Sequence, residues 1–188
     1  MRRDSQRHYT VDDYFTVEEM SEVKHEYYDG AIFAKAGASL RHNEIAANVL
    51  SELRDRLRET DCGAYGSDLR VQTPGGLYTY PDVSVVCGQV QLVPDRSDTA
   101  TNPLLLVEVL SDATEEYDRG DKFALYKSVP TLHHYILISQ TKVLVDHFQR
   151  IQADEWRCRS MREPNDFVAV SEPHILLSLK DVYRRVFY

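Results

Sequence analysis

No apolar stretch in this chain approaches the roughly 20 residues that a membrane-spanning helix needs. The first residues, MRRDSQRHYTVDD, are polar rather than leader-like, so a cytoplasmic protein without a membrane role is expected. Cysteine is scarce. Cys62, Cys87 and Cys158 are far apart and lack CxxC spacing, which excludes the usual zinc and dithiol motifs, and they read as small buried or half-buried residues. A basic excess is also missing: 22 Lys and Arg face 30 Asp and Glu, for a net charge of -8. Nonspecific coating of nucleic acid rests on clustered cations and is disfavoured. A metal-dependent enzyme is not excluded, because a metal site needs acids of its own. Much of the acidity falls early, at Asp12, Asp13, Glu18, Glu19 and Glu22. Repeats, low-complexity tracts and linkers are lacking too, so the 188 residues are expected to form a single domain.

What is present is a series of short elements. VDDYFTVEEM reads as an amphipathic helix, and KHEYYDGAIFAKA as two strands joined at Asp29 and Gly30. From Ser39 to about Thr60 runs the clearest helix, with Ala46, Val49, Leu50, Leu53 and Leu57 as its apolar stripe. His42 lies four residues before Ala46 and seven before Val49, hence on the inward side. Strands follow near Ala64–Gly66, Asp68–Thr73 and YPDVSVVC, with a turn at PGG, and GQVQLVPDRSDTATN reads as a loop. After the apolar run LLLVEVL come a short helix, Asp118 to Lys127, ended by Pro130, and a hairpin of HHYILIS and KVLVDHF. EWRCRSM adds a strand and SLKDVYRRVF a terminal helix. This order describes an α/β or mixed α+β core, a mixed central sheet flanked by helices. A parallel crossover can link LLLVEVL to HHYILIS.

One residue is out of place in this pattern. The run Leu104–Leu110 reads as a strand covered on both faces, and Glu108 interrupts it. A carboxylate there must be protonated, hydrogen-bonded, paired with a cation or bound to a metal. Asp82 follows Pro81 at the start of another apolar strand. If the two strands are neighbours, the acids converge, and converging carboxylates share either a proton or a cation. Mg²⁺ suits the second arrangement, taking one or two carboxylates and completing its shell with water and phosphate oxygens. Lys122 can reach over the sheet toward both acids, although helix geometry alone favours an exposed pair with Asp118. Each acid has a structural alternative: Asp82 as a turn residue, Glu108 as the partner of a buried cation. His133 and His134 are adjacent on a strand, so they face opposite sides and cannot share an ion. The scattered tyrosines are expected in the core and its rim, and Arg150, Arg157, Arg159 and Arg162 on a solvated face.

Pro81 and Asp82, followed by Glu108-Val109-Leu110 at the end of an apolar strand, resemble the PD-(D/E)XK nuclease superfamily. The ordered set HEYYDG, His42, YPDVSVV, PLLLVEVLSDAT, DRGDKFALY and HHYILIS is similar to the Uma-two family of bacterial putative restriction endonucleases. The resemblance covers about Tyr9 to the end. It implies a restriction-endonuclease-like core and Mg²⁺ (or Mn²⁺) bound by Asp82 and Glu108, with the Val109 carbonyl completing the site. The superfamily places a lysine two residues after the acid, where this chain has Leu110. The resemblance therefore implies that Lys122 has taken over that role and assists the attacking water. It also implies Glu26 as an outer acid near the metal and His42 as a phosphate-contacting or water-orienting group. By alternation alone Glu26 could face solvent, and His42 could be a packing residue.

The expected function is a divalent-metal-dependent endonuclease that hydrolyses phosphodiester bonds, with DNA as substrate. A homodimer that cuts both strands is implied by resemblance. The rival is a nuclease-like fold without catalysis, an interaction module for nucleic acid or protein, to which the acidity and Leu110 lend weight. A metal-free acid/base hydrolase using paired carboxylates is a more distant third.

Overall fold

A computed structural model describes residues 8–35 and 37–186. Residues 1–7, on which the reading of a leaderless start rests, Ala36, and residues 187–188 at the end of the expected terminal helix lie outside the described residues. The chain runs α1 (Val11–Met20), β1 (His25–Tyr28), β2 (Ala31–Ala34), α2 (Leu40–Leu57), β3 (Cys62–Gly66), β4 (Arg70–Gln72), β5 (Tyr78–Thr79), β6 (Val83–Cys87), β7 (Thr99–Ala100) and β8 (Leu105–Leu110). It continues with α3 (Glu115–Arg119), α4 (Asp121–Tyr126), β9 (His134–Ser139), β10 (Val145–Arg150), β11 (Trp156–Met161), β12 (Phe167–Val170), β13 (Ile175–Ser178) and α5 (Leu179–Val182). This is the mixed α+β architecture expected from the pattern. No described helix is long and apolar enough to cross a membrane.

The larger sheet has six strands in the order β11-β10-β9-β8-β6-β3. Its centre is β8, every residue of which is buried. It pairs with β6 antiparallel and with β9 in parallel, so the link through α3 and α4 is a crossover. Alternation divides the strand. Leu105, Val107 and Val109 face α2, whose Ile45, Val49, Leu53 and Leu57 are fully or almost fully buried against them. Leu106 and Leu110 face the other way, toward Phe123, Tyr126, Val129 and Leu132 of α4 and its exit. Each such side chain contributes roughly 1.5–3 kcal/mol of burial free energy. That two-sided cover is what makes a polar residue in β8 costly.

The second sheet, β2-β1-β5-β4-β7, carries the hairpin of β1 and β2. Asp29 and Gly30 have φ of 45° and 77°, the left-handed pair of a two-residue hairpin turn. Tyr27 and Ile32, opposite each other, pack with Tyr14 of α1 and Tyr78 of β5. α1 begins at a reciprocal capping box between Thr10 and Asp13.

The structure departs from the pattern in several places. The expected helix Asp118–Lys127 is two helices. Gly120 ends α3, its N–H shared between the Glu116 and Tyr117 carbonyls, because glycine gives up helical geometry cheaply. The expected terminal helix keeps only Leu179–Val182. The buried Asn48 donates to the Val182 and Arg184 carbonyls, taking acceptors a longer helix would use. The strands β12 and β13 were not expected, and β7 interrupts the expected loop. Cys62 and Cys87, half-buried as expected, face each other across β3 and β6 and form a disulfide, which corrects their reading as separate residues; Cys158 is exposed. Arg157, Arg159 and Arg162 are solvated, but the Arg150 guanidinium donates to the Leu132, Lys127, Val129 and Ala153 carbonyls and is a structural tie.

Candidate active site

The pairing of β6 with β8 decides where the acids meet. Val83 lies opposite Val107, so the next position out sets Asp82 across from Glu108. Asp82 occupies the bend before β6 rather than the strand itself, because the ladder begins at Val83. Its Oδ2 accepts the Val109 N–H at 2.8 Å. In an extended strand the N–H and C=O of one residue point to the same side, so the Val109 carbonyl is directed toward Asp82 as well. Asp82 and Glu108, 6 % and 3 % exposed, both line a cleft of about 1130 Å³.

Different partners hold the two acids. Asp82 is paired with His42 Nε2 at 3.1 Å and Lys35 Nζ at 3.3 Å. Burial alone would raise its carboxyl, but the His42 hydrogen bond, the charges of Lys35 and His42 and the Val109 N–H bring it down to about 2. Glu108 accepts from the Tyr126 hydroxyl at 2.8 Å and meets Lys122 Nζ at 2.9 Å. Full burial pushes Glu108 up to about 7; the Lys122 charge opposes the rise, and Asp118 and Asp82 reinforce it. One strand pair thus presents a carboxyl held below the usual range beside one raised above it.

Lys122 sits at the meeting point of three carboxylates: Glu108, Glu26 at 3.1 Å and Asp118 at 3.4 Å. Burial opposes its charge, yet Glu108 and the other acids raise it well above the usual lysine range. The Asp118 pair allowed by helix geometry is present, but it is buried rather than exposed. Glu26 faces the cleft and not solvent, with its Oε1 accepting the Thr79 hydroxyl at 2.5 Å.

His42 is inward, as the stripe of α2 indicated. Ser39 caps that helix, its Oγ accepting the His42 N–H at 3.1 Å. The His42 Nε2 turns to Asp82, while the buried Nδ1 finds no partner among the described residues. Asp82, Glu108, Val109, Lys122, Glu26 and His42 therefore line one cleft. Lys35 was missed, although it lies two residues beyond Phe33, on the hairpin face that bears Glu26. Its Nζ also donates to the Tyr80 carbonyl. Tyr126 was missed as well; the signal was its place four residues after Lys122.

The donor set fits a hard divalent cation. It offers carboxylate oxygens and a backbone carbonyl, and more acids than lysines converge on the cleft. The acids are not gathered on one point. Among the described residues, the group of three potential ligands whose atoms lie within 4.8 Å of one another is Asp61, Cys62 and Cys87, and the disulfide removes both thiols from it. Two protein carboxylates with water and phosphate in the other positions match Mg²⁺ better than a closed protein cage.

Residues 11–179 match the model of the Uma2 family, described as "Putative restriction endonuclease". Two proteins of Synechocystis sp. (strain ATCC 27184 / PCC 6803 / Kazusa) are related to the chain. Uncharacterized protein slr1290 is 40% identical over 148 residues, 77% of this chain and 76% of that protein. Uncharacterized protein sll1609 is 32% identical over 148 residues, 78% of this chain and 84% of that protein. The fold is similar to the crystal structure of a putative nuclease belonging to DUF820 from Anabaena variabilis ATCC 29413, with a TM-score of 0.72 and 21% identity, covering 89% of this chain and 93% of that one. With a family model spanning most of its length and a cleft built on opposed acids, the chain belongs to the Uma2 family of putative restriction endonucleases.

Proposed function

We propose that this protein is a divalent-metal-dependent endonuclease of the cytoplasm, acting on DNA through one nuclease-like domain. The observation that carries the reading is the placement of Asp82 across from Glu108 on adjacent strands, at a cleft, with the Val109 backbone directed to the same place. Asp82, Glu108 and the Val109 carbonyl would hold Mg²⁺ or Mn²⁺, with Glu26 as an outer acid. Bound there, the ion would polarise a phosphoryl oxygen and lower the pKa of a coordinated water.

The chain's own groups do the rest. His42 and Lys35 keep Asp82 ionised at any physiological pH. Lys35 also brings a cation to the cleft, where it can meet a phosphate oxygen and stabilise charge that develops on it. Lys122 balances the buried acids and orients the attacking water. It donates to Glu26 and lies within ion-pair distance of Glu108 and Asp118, so a water that it holds must find its place among these acids. His42 orients a water or contacts the phosphate through its tie to Asp82.

The test is hydrolysis of linear and circular DNA with Mg²⁺ or Mn²⁺, with chelator, and with the Asp82→Asn and Glu108→Gln variants. We expect cleavage that chelator stops and that either substitution lowers by at least about 100-fold, with the circular dichroism unchanged. Activity that survives chelator, or full activity in both variants, contradicts the reading. The tight engagement of Lys122 and the presence of Leu110 where a lysine is usual favour a second reading, a nuclease-like module without catalysis. Such a module shows no cleavage under any of these conditions.

A further inference from the structure

The hairpin of β1 and β2 has two unlike faces. Tyr27 and Ile32 pack inward against α1, so alternation turns Glu26 and Tyr28 of β1, and Phe33 of β2, to the cleft. The register arranges the cleft face in rows. Tyr28 lies opposite Ala31 at the tip, Glu26 opposite Phe33 in the middle, and Lys24 beside Lys35 at the inner end, where the Lys35 N–H donates to the Lys24 carbonyl. Rows two residues apart along a strand are about 6.8 Å apart.

The two aromatic rings on this face are exposed without a folding reason. Phe33 is 55% exposed and Tyr28 37%, and neither stacks on a ring among the described residues. The other aromatics of this sheet are buried: Tyr27, Tyr78 and Tyr80 are each less than a tenth exposed. Exposed rings next to a row of lysines beside a cleft are the elements of a platform for unpaired bases. A base stacks on the ring whatever its sequence, and the lysines follow the backbone. Duplex DNA would instead need a wide basic footprint, because its bases are already stacked and its contacts are to phosphate. A chain of net charge -8 has no excess of cations to supply one.

We propose that the cleft face of the β1–β2 hairpin binds an unpaired polynucleotide strand, with Phe33 and Tyr28 stacking on bases and Lys24 and Lys35 meeting the phosphates from beside the acids they already pair with, Asp68 and Asp82. This rests on the nuclease reading and narrows its substrate to single-stranded DNA or an unpaired segment of a duplex. Lys35 in the inner row reaches Asp82, so a strand on the platform has its backbone toward the acids.

The test is fluorescence anisotropy with a labelled oligothymidine of about 12 nucleotides, within the range one such groove holds, and a blunt duplex of equal length, in chelator and in Ca²⁺. Wild type, Phe33→Ala, Tyr28→Ala and Phe33→Trp are compared, with Mg²⁺-dependent cleavage of both DNAs measured on the same samples. We expect wild type to prefer the single strand. Phe33→Ala should weaken single-strand binding about ten-fold and leave duplex binding unchanged, and Phe33→Trp should retain it. Because Phe33 is on the surface, its loss leaves the fold intact. Equal affinity for both DNAs, no single-strand binding by wild type, or no effect of Phe33→Ala overturns the platform; duplex cleavage in Mg²⁺ would then leave the nuclease reading standing. Single-strand binding through Phe33 without any cleavage would retire the nuclease reading and keep the platform.

Discussion

Lys122 and Glu108 show how much a single residue type in a pattern can and cannot reveal. A glutamate in a covered strand stood out because burying it is costly, and the structure compensates it with Lys122 and Tyr126. The same balance predicts the effect of removing the cation. Lys122→Met leaves Glu108, Glu26 and Asp118 without their shared partner in a buried place, and we expect a loss of about 3–5 kcal/mol in urea unfolding. A change below about 1 kcal/mol would mean that the three acids are not compensated by Lys122. Tyr126→Phe removes one hydrogen bond to the same acid and should cost about 1–3 kcal/mol. Lys35 was not legible in this way. Nothing in a lysine after AIFA marks it as inward until the hairpin register sets it beside Tyr80 and Asp82. Asp82 was legible as a candidate, yet its low pKa depends on His42, forty residues earlier in the chain.

At the scale of elements, long periodic segments were legible and short ones were not. α2 is 18 residues long, and its stripe identified both the buried face and the inward His42. β12 and β13 are four residues each, too short for alternation to stand above chance, and they form because each covers the other and the α2 side of the core. The break at Gly120 and the early end of α5 came from a glycine and from Asn48, local hydrogen-bonding choices that a hydrophobic pattern does not register. The start of α2 joins fold to site. Ser39 caps the helix through the His42 N–H and donates to Gln140, whose side chain in turn donates to the Leu110 carbonyl at the end of β8. Ser39→Ala should therefore cost about 1 kcal/mol in thermal unfolding. It should also lower cleavage more than that loss of stability explains, because His42 is no longer fixed against Asp82. Stability lost with activity unchanged would separate the cap from the site.

For the molecule as a whole, the sheet order explains why distant residues meet and why they looked unrelated. Cys62 and Cys87 are 25 residues apart, and only the pairing of β3 with β6 makes them neighbours. His134 and His147 are likewise brought together by β9 and β10, their rings hydrogen-bonded Nδ1 to Nε2 at 2.9 Å. Burial lowers both, to about 3 for His134, with the His147 charge adding to it, and to about 4 for His147, with Arg159 adding. The unfolded chain takes up protons on these groups near pH 6.5, well before the folded one does, so the folded state is favoured fully above that value. Stability should fall as pH drops from about 6.5 toward 4, with a slope of at most about 1.4 kcal/mol per pH unit for each ring. In His147→Gln that slope should shrink, and an unchanged slope would remove the pair as its source.

The most direct test of the whole account is calorimetric titration of Mn²⁺ into the wild type and into the Asp82→Ala, Glu108→Ala double variant, without substrate. A metal nuclease built on these two acids binds the ion in the wild type and not in the variant, while the variant stays folded. No binding by the wild type, or equal binding by both proteins, would contradict a metal centre at Asp82 and Glu108.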